Sequence, residues 1–182
     1  VVEGARVFFA GVGDSRLYAW KDGALRQLTT DDSWLVLLAN EPGMTPEVLR
    51  HHPMRNVLTN VVGAKLELAV EVLDADLPGA TLLLCSDGVH GALSDDMMAE
   101  IIAGEPDLQK ASQALVQAAM DNGSTDNVTA VLVGIAAAAG EVVQESASGS
   151  DSAEPTVVFK AADIQAAVLA SAEIVAFETV TL

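Results

Sequence analysis

Positive charge is scarce in this chain. Nine Lys and Arg stand against 26 Asp and Glu, for a formal net charge of −17. That balance argues against nucleic acid as a partner, because phosphate backbones are held by Lys and Arg. It argues equally against anionic membrane surfaces, and it suits a protein that attracts cations. Cysteine is down to one residue, Cys85, which excludes an internal disulfide. With apolar neighbours on its N-terminal side, Cys85 reads as a small core residue, and a reducing, cytoplasmic setting is the default. Aromatic residues make up only 4% of the chain, so Val, Leu, Ile and Ala must fill the core. No uninterrupted apolar run reaches membrane-spanning length, and no signal peptide is visible. An initiating methionine is also lacking. The sequence starts at Val1 and enters strand-like residues at Arg6–Val12, from which we expect that something upstream is missing.

What is present is half hydrophobic, at 51% of 182 residues, enough for one ordinary domain with a sizeable core. Three strand signals open the chain: ARVFFAGVGD, RLYAWKDG and ALRQLTTD. Lys21-Asp22-Gly23 is a hairpin turn signal, since Asp-Gly tolerates the positive φ of a type I′ turn. Gly13-Asp14-Ser15 reads as the other turn, and the three together predict an antiparallel meander. Thr45-Pro46-Glu47 supplies an N-cap, a first-turn proline and an acid favoured by the helix dipole, predicting a short helix through His51. The alternation in ELAVEVLDADL predicts a strand, and TLLLC a buried one. Ser94 is the expected N-cap of a helix with Asp95 and Asp96 in its first turn and Met97, Ile101 and Ile102 on its apolar face. A second helix runs through DLQKASQALVQAAMDNG, with Leu108, Leu115, Val116 and Ala119 at helical spacing and Gly123 as its stop. NVTAVLVGI closes the core as a strand. Near Ala137 the composition shifts to Ser, Gly and Glu, predicting a flexible linker over 137–156. Residues 157–182 form a tail with signals for a short helix and a strand.

Three aspartates occupy the same kind of position, the end of a strand signal beside a turn residue: Asp14 in VGDSR, Asp87 in LLLCSDG and Asp126 in STDNVTAVLV. Asp-Gly, Asp-Asn and Gly-Asp are common turn dipeptides, and for any one of the three alone the turn reading outweighs a ligand. Hard divalent cations want carboxylate oxygens on stiff supports, which a short side chain at a strand end provides.

The order of VGDSRLYAWKDGALRQLTTDDSW, HPMRNVLTNVVG, LLLCSDGVHGALSD and STDNVTAVLV resembles the PPM family, the protein phosphatase 2C-like metal-dependent Ser/Thr phosphatases, in its bacterial form. The match runs over roughly residues 5 to 135, four motifs in the family's order. The resemblance implies an α+β fold, part of an α/β/β/α four-layer sandwich with two mainly antiparallel sheets, its N-terminal strands missing and a metal site at one end. It implies residues 1–136 as the C-terminal portion of the phosphatase domain. Asp87 and Asp126 match ligands of a binuclear Mn2+ or Mg2+ centre. Asp14 matches an aspartate that, with Asp87, helps hold a third, weaker ion. Asn127 is expected to position backbone. The irregular segment from about Asp31 to Gly63 falls where the family has a flap beside the site.

In such a site a metal-held water attacks phosphorus in line, so no protein nucleophile is required. Cys85 lacks the partners that activate a thiol, and no catalytic residue is expected beyond the metal ligands. His90 could donate a proton to a leaving group. His51 and His52 suit a helix end. Arg16 and Arg55 could reach a phosphate, although Arg more often pairs with nearby carboxylates. Asp74 and Asp76 read as a solvated strand edge.

Two departures bear on function. The Arg-x-x-Asn-Glu-Asp and Asp-Gly-x-Gly-Gly elements with which the family's pattern begins, and which supply a phosphate-binding Arg and the metal-bridging aspartate, have no counterpart here. Gly91 also stands where many relatives carry an acid. The expectation is therefore a protein Ser/Thr phosphatase acting on phosphorylated proteins, a Ser/Thr kinase or its targets among them, represented by a part inactive alone. The alternative is a non-catalytic, phosphatase-like interaction module.

Overall fold

A computed structural model describes residues 1–39, 41–50, 52–54, 57–63, 68–137, 157–158 and 176–180. The elements in chain order are β1 (Val2–Glu3), β2 (Arg6–Phe9), β3 (Arg16–Lys21), β4 (Ala24–Gln27), α1 (Trp34–Leu38), α2 (Pro46–Arg50), β5 (Ala69–Val70) and β6 (Leu73–Asp76). After them come β7 (Thr81–Cys85), α3 (Asp87–His90), α4 (Asp95–Gly104), α5 (Leu108–Asp121), β8 (Val128–Gly134), β9 (Val157–Val158) and β10 (Ala176–Val180).

Two antiparallel sheets carry the core. One has three strands in the order β1-β2-β6, and the other five in the order β10-β8-β7-β3-β4. The β3–β4 hairpin turns as its sequence predicts, with φ of +52° at Asp22 and +80° at Gly23. The predicted meander does not form. β2 pairs with β1 and β6, whereas β3 pairs with β4 and β7. Gly13-Asp14-Ser15 is thus a crossover from one sheet to the other, bent at Gly13 with φ of +89°. A turn-rich break fixes where a strand stops but not which neighbour the next strand chooses.

The five-stranded sheet is covered on one side by α4 and α5. Tyr18, Leu83, Cys85, Val128, Ala130 and Leu132 from its strands pack with Met98, Ile102, Ala111, Leu115, Val116 and Ala119 from the helices. Ser94 caps α4 by accepting from the Met97 N–H, and Asp107 caps α5 by accepting from the N–H groups of Gln109 and Lys110, satisfying donors that the helix starts leave open. The buried methionine of α4 is Met98. Met97, expected on the apolar face, is 37% exposed, one residue out of phase.

On the other side the three-stranded sheet supplies Val7, which packs with Leu77 against Leu17, Ala19, Leu82 and Val133. Helices, large sheet and small sheet make three layers among the described residues. The fourth, a helical layer outside the small sheet, is not among them.

The expected strand over ELAVEVLDADL is broken into β5 and β6. β6 is an edge strand, and its exposed Asp74 pairs with Arg6 across the ladder at 2.8 Å. Thr45 caps α2 by accepting from the Val48 N–H. Helices α1 and α3, of five and four residues, were below the length at which periodicity can be read from sequence. In the tail, β9 pairs with β5, and β10 adds to the edge of β8. The helix signal of the tail and most of the predicted linker lie outside the described residues.

Candidate functional site

The register of the large sheet explains how three aspartates far apart in sequence meet. Arg16 is opposite Cys85, and Cys85 is opposite Ala130. The start of β3, the end of β7 and the start of β8 are therefore one end of the sheet. Asp14 lies two residues before β3, Asp87 two residues after β7, and Asp126 two residues before β8. All three line one cavity of about 840 Å3, together with Arg16, Asp31 and His90 among others.

The supports are short and polar. Ser86 donates its hydroxyl to the Asn127 carbonyl at 2.9 Å and accepts from the Thr129 N–H at 3.1 Å. Ser124 donates to the Gly88 carbonyl at 2.8 Å. These bonds clip the first turn of α3 to the loop that carries Asp126. The approach is so close that a Cβ on Gly88 would lie 2.4 Å from the Asn127 carbonyl oxygen, so only glycine fits between Asp87 and Val89. Asn127 contributes backbone groups, its carbonyl accepting from Ser86 and its N–H donating to the Asp126 carboxylate at 2.7 Å. Ser86 is a clip, and the Cys85 thiol, pushed up to about 12 by burial, stays protonated.

Asp87 opens α3 with an exposed side chain. Its carboxyl is nevertheless held above the ordinary carboxylate value, first by desolvation and then by the charges of Asp14 and Asp126; the Gly88 N–H and His90 oppose the shift. A carboxylate whose charge is disfavoured by burial and by neighbouring carboxylates is relieved by a cation.

The sequence left Arg16 open to a phosphate role. The structure binds it locally instead, to Asp31 at 2.7 Å and to the Tyr18 hydroxyl at 2.9 Å. Burial works against the guanidinium charge, but the bonds to Asp31 and Tyr18 outweigh it and raise the pKa. Asp32, in the same TTDDS run, accepts from the Gly13 N–H at 3.1 Å and the Asn60 side-chain amide at 3.0 Å. It ties the crossover turn to the segment around Thr59. Sequence reasoning missed the roles of Asp31, Asp32, Ser86 and Ser124; only the density of short polar residues beside each aspartate hinted at them. His90 directs Nε2 at the Asp14 carbonyl, 2.9 Å away. His52 accepts from the Met54 N–H through Nδ1. Arg55 and His51 lie outside the described residues.

The donor chemistry is all carboxylate oxygen, which fits Mg2+ or Mn2+ better than softer metals. The set is partial: among the described residues no three of His, Cys, Asp and Glu close around a single point. Among them, too, no helix is long and apolar enough to cross a membrane.

Fold and site together define an α+β two-sheet sandwich protein with an aspartate-lined cavity at one sheet end. No protein-family model matches the chain. It is 33% identical over 133 residues, 72% of its length, to the serine/threonine protein phosphatase PstP of Mycobacterium tuberculosis, covering 26% of that protein. It is 32% identical over 130 residues, 71% of its length, to the serine/threonine phosphatase stp of Listeria monocytogenes, covering 52% of that protein. A crystal structure of the PstP catalytic domain in complex with two manganese ions matches with a TM-score of 0.61 and 31% identity, over 72% of this chain and 54% of that one. The chain belongs to the PPM family of protein phosphatase 2C-like Ser/Thr phosphatases. It spans about half the length of the Listeria relative and about a quarter of the mycobacterial one.

Proposed function

We propose that residues 1–136 are the C-terminal portion of a metal-dependent phosphatase domain that hydrolyses phosphoserine and phosphothreonine in proteins, a Ser/Thr kinase or its targets among them. In this reading Asp87 and Asp126 hold Mn2+ or Mg2+ and Asp14 helps hold a further ion. The observation that carries it is the convergence of these three carboxylates on one cavity, where desolvation, and after it the charges of Asp14 and Asp126, push the Asp87 carboxyl upward. Bound divalent ions would supply the activated water and neutralise the phosphate monoester. The chain's own part is to present the carboxylates on clipped, stiff supports and to keep Arg16 and Cys85 out of the chemistry. The lack of a closed ligand group among the described residues favours a second reading, a non-catalytic phosphatase-like interaction module.

Manganese titration of the 182-residue chain, with p-nitrophenyl phosphate hydrolysis alongside, separates the readings. The expected result is Mn2+ uptake that Asp87→Asn and Asp126→Asn abolish, with negligible turnover by this chain alone. Absence of any Mn2+ uptake would leave the interaction module as the better account. Robust turnover would show that the carboxylates present suffice for catalysis.

A further inference from the structure

Asp14 differs from the other two aspartates in its support. Asp87 is the first residue of a helix, and Asp126 is held by the clips at the mouth of β8. Asp14 sits in the crossover between the two sheets, outside any ladder. A ligand on such a segment needs an outside anchor, or its carboxylate samples many positions.

Two anchors reach this turn. Asp32 exchanges two bonds with Gly13, its N–H donating to the Gly13 carbonyl at 2.8 Å and its carboxylate accepting from the Gly13 N–H. The second anchor is His90, the last residue of α3, with Nε2 2.9 Å from the Asp14 carbonyl. A carbonyl oxygen can only accept, so Nε2 must carry the proton. His90 is three residues after Asp87, and on a helix residues at that spacing share a face. One short helix thus presents a carboxylate and, one turn on, a donor that fastens the residue bearing the second carboxylate.

We infer that His90 is a positioning residue: by donating Nε2–H to the Asp14 carbonyl it fixes the Asp14 carboxylate relative to Asp87, so that the two can share one divalent cation. This rests on the reading of Asp14 as a metal ligand. It gives His90 a task other than proton donation to a leaving group. The cation held between α3 and the crossover turn would then depend on how firmly the turn is tethered.

The test is an electron-paramagnetic-resonance titration of free Mn2+ against the full chain, with His90→Phe, His90→Gln and each of these combined with Asp14→Asn. Partners that orient a metal ligand are commonly worth tenfold or more in affinity, so His90→Phe should weaken the weakest Mn2+ site about tenfold. His90→Gln keeps a donor able to reach the carbonyl and should restore most of that loss. In the Asp14→Asn background neither change should matter further, the signature of two residues acting as one unit. Unchanged Mn2+ affinity in His90→Phe would overturn the inference. So would a penalty in His90→Gln equal to that in His90→Phe, or a penalty that persists without Asp14, either of which would make His90 a ligand in its own right or a merely structural residue.

A metal-free measurement stands beside it. Long-range 15N–1H correlation on the neutral imidazole of the unmodified chain should show the Nε2–H tautomer, and the Nδ1–H tautomer would overturn the inference even if His90→Phe failed to fold. Absence of Mn2+ uptake by the unmodified chain, with the Nε2–H tautomer present, would instead remove the ligand reading of Asp14 on which the inference depends.

Discussion

The two faces of the five-stranded sheet are built from the same kinds of residue and end up in different states. On the helix side, Tyr18, Leu83, Val128, Ala130 and Leu132 are fully buried under α4 and α5. On the sheet side, cover is complete only over Leu17, Ala19, Leu82 and Val133. Two residues further along β7, on the same face as Leu82, Leu84 is 43% exposed. Together with Gly11, Val12 and Val131 it lines an open cavity of about 470 Å3. The uncovered part is the end that leads to Asp87. Stability and site are thereby assigned to different sides: the helix side secures the strands, and the sheet side stops short where the carboxylates begin.

The strongest way to break this comparison is Leu83→Ala. A fully enclosed leucine removed from the helix side should cost about 3 kcal/mol in urea unfolding, and a loss below about 1 kcal/mol would mean that face is no tighter than the other. Gly88→Ala comes next. Its methyl would meet the Asn127 backbone, and overpacking of that kind costs about 2 kcal/mol; a neutral effect would show that the clip between α3 and the Asp126 loop is loose. Asp87→Asn should act in the opposite direction. A carboxyl whose folded pKa is raised takes up more protons folded than unfolded, so stability falls as pH rises through that window and stays lower above it. In metal-free buffer at neutral pH the amide should therefore unfold at a higher temperature than the parent, with the advantage fading as the pH drops to the ordinary carboxylate range. Equal melting at neutral pH would show that neither desolvation nor the neighbouring aspartates burden the Asp87 charge. The smallest effect should be Leu84→Ala, within about 1 kcal/mol because the side chain is already largely wet; a cost near that of Leu83→Ala would erase the difference between the faces.

What could be read in the sequence was local. The β3–β4 hairpin announced itself in Lys21-Asp22-Gly23, and α4 and α5 in their caps and spacing. The buried strands β7 and β8 were legible as apolar runs closed by polar turns. What could not be read depended on distant partners. Nothing in VGDSR says that β2 and β3 part company into different sheets, and nothing in AFETV says that it pairs with β8, some forty residues earlier. Helices of four and five residues carry no period. The choice between Met97 and Met98 turned on one residue of helical phase. At the site, the aspartates were visible because each closed a strand signal beside a turn residue. Their common end of the sheet follows from strand register, and the contact between His90 and the Asp14 carbonyl from a tertiary approach that no spacing encodes.

β10 has a practical consequence for anyone shortening this chain. It lies along the outer edge of β8, whose sequence VTAVLV is β-branched, apolar and free of charge. Removing residues 176–180 would leave that edge with open backbone donors and acceptors, a template onto which another molecule's strand can add. A trimmed version that looks tidier on paper would therefore be the one prone to stick to itself, and the few residues of β10 serve as its guard against aggregation.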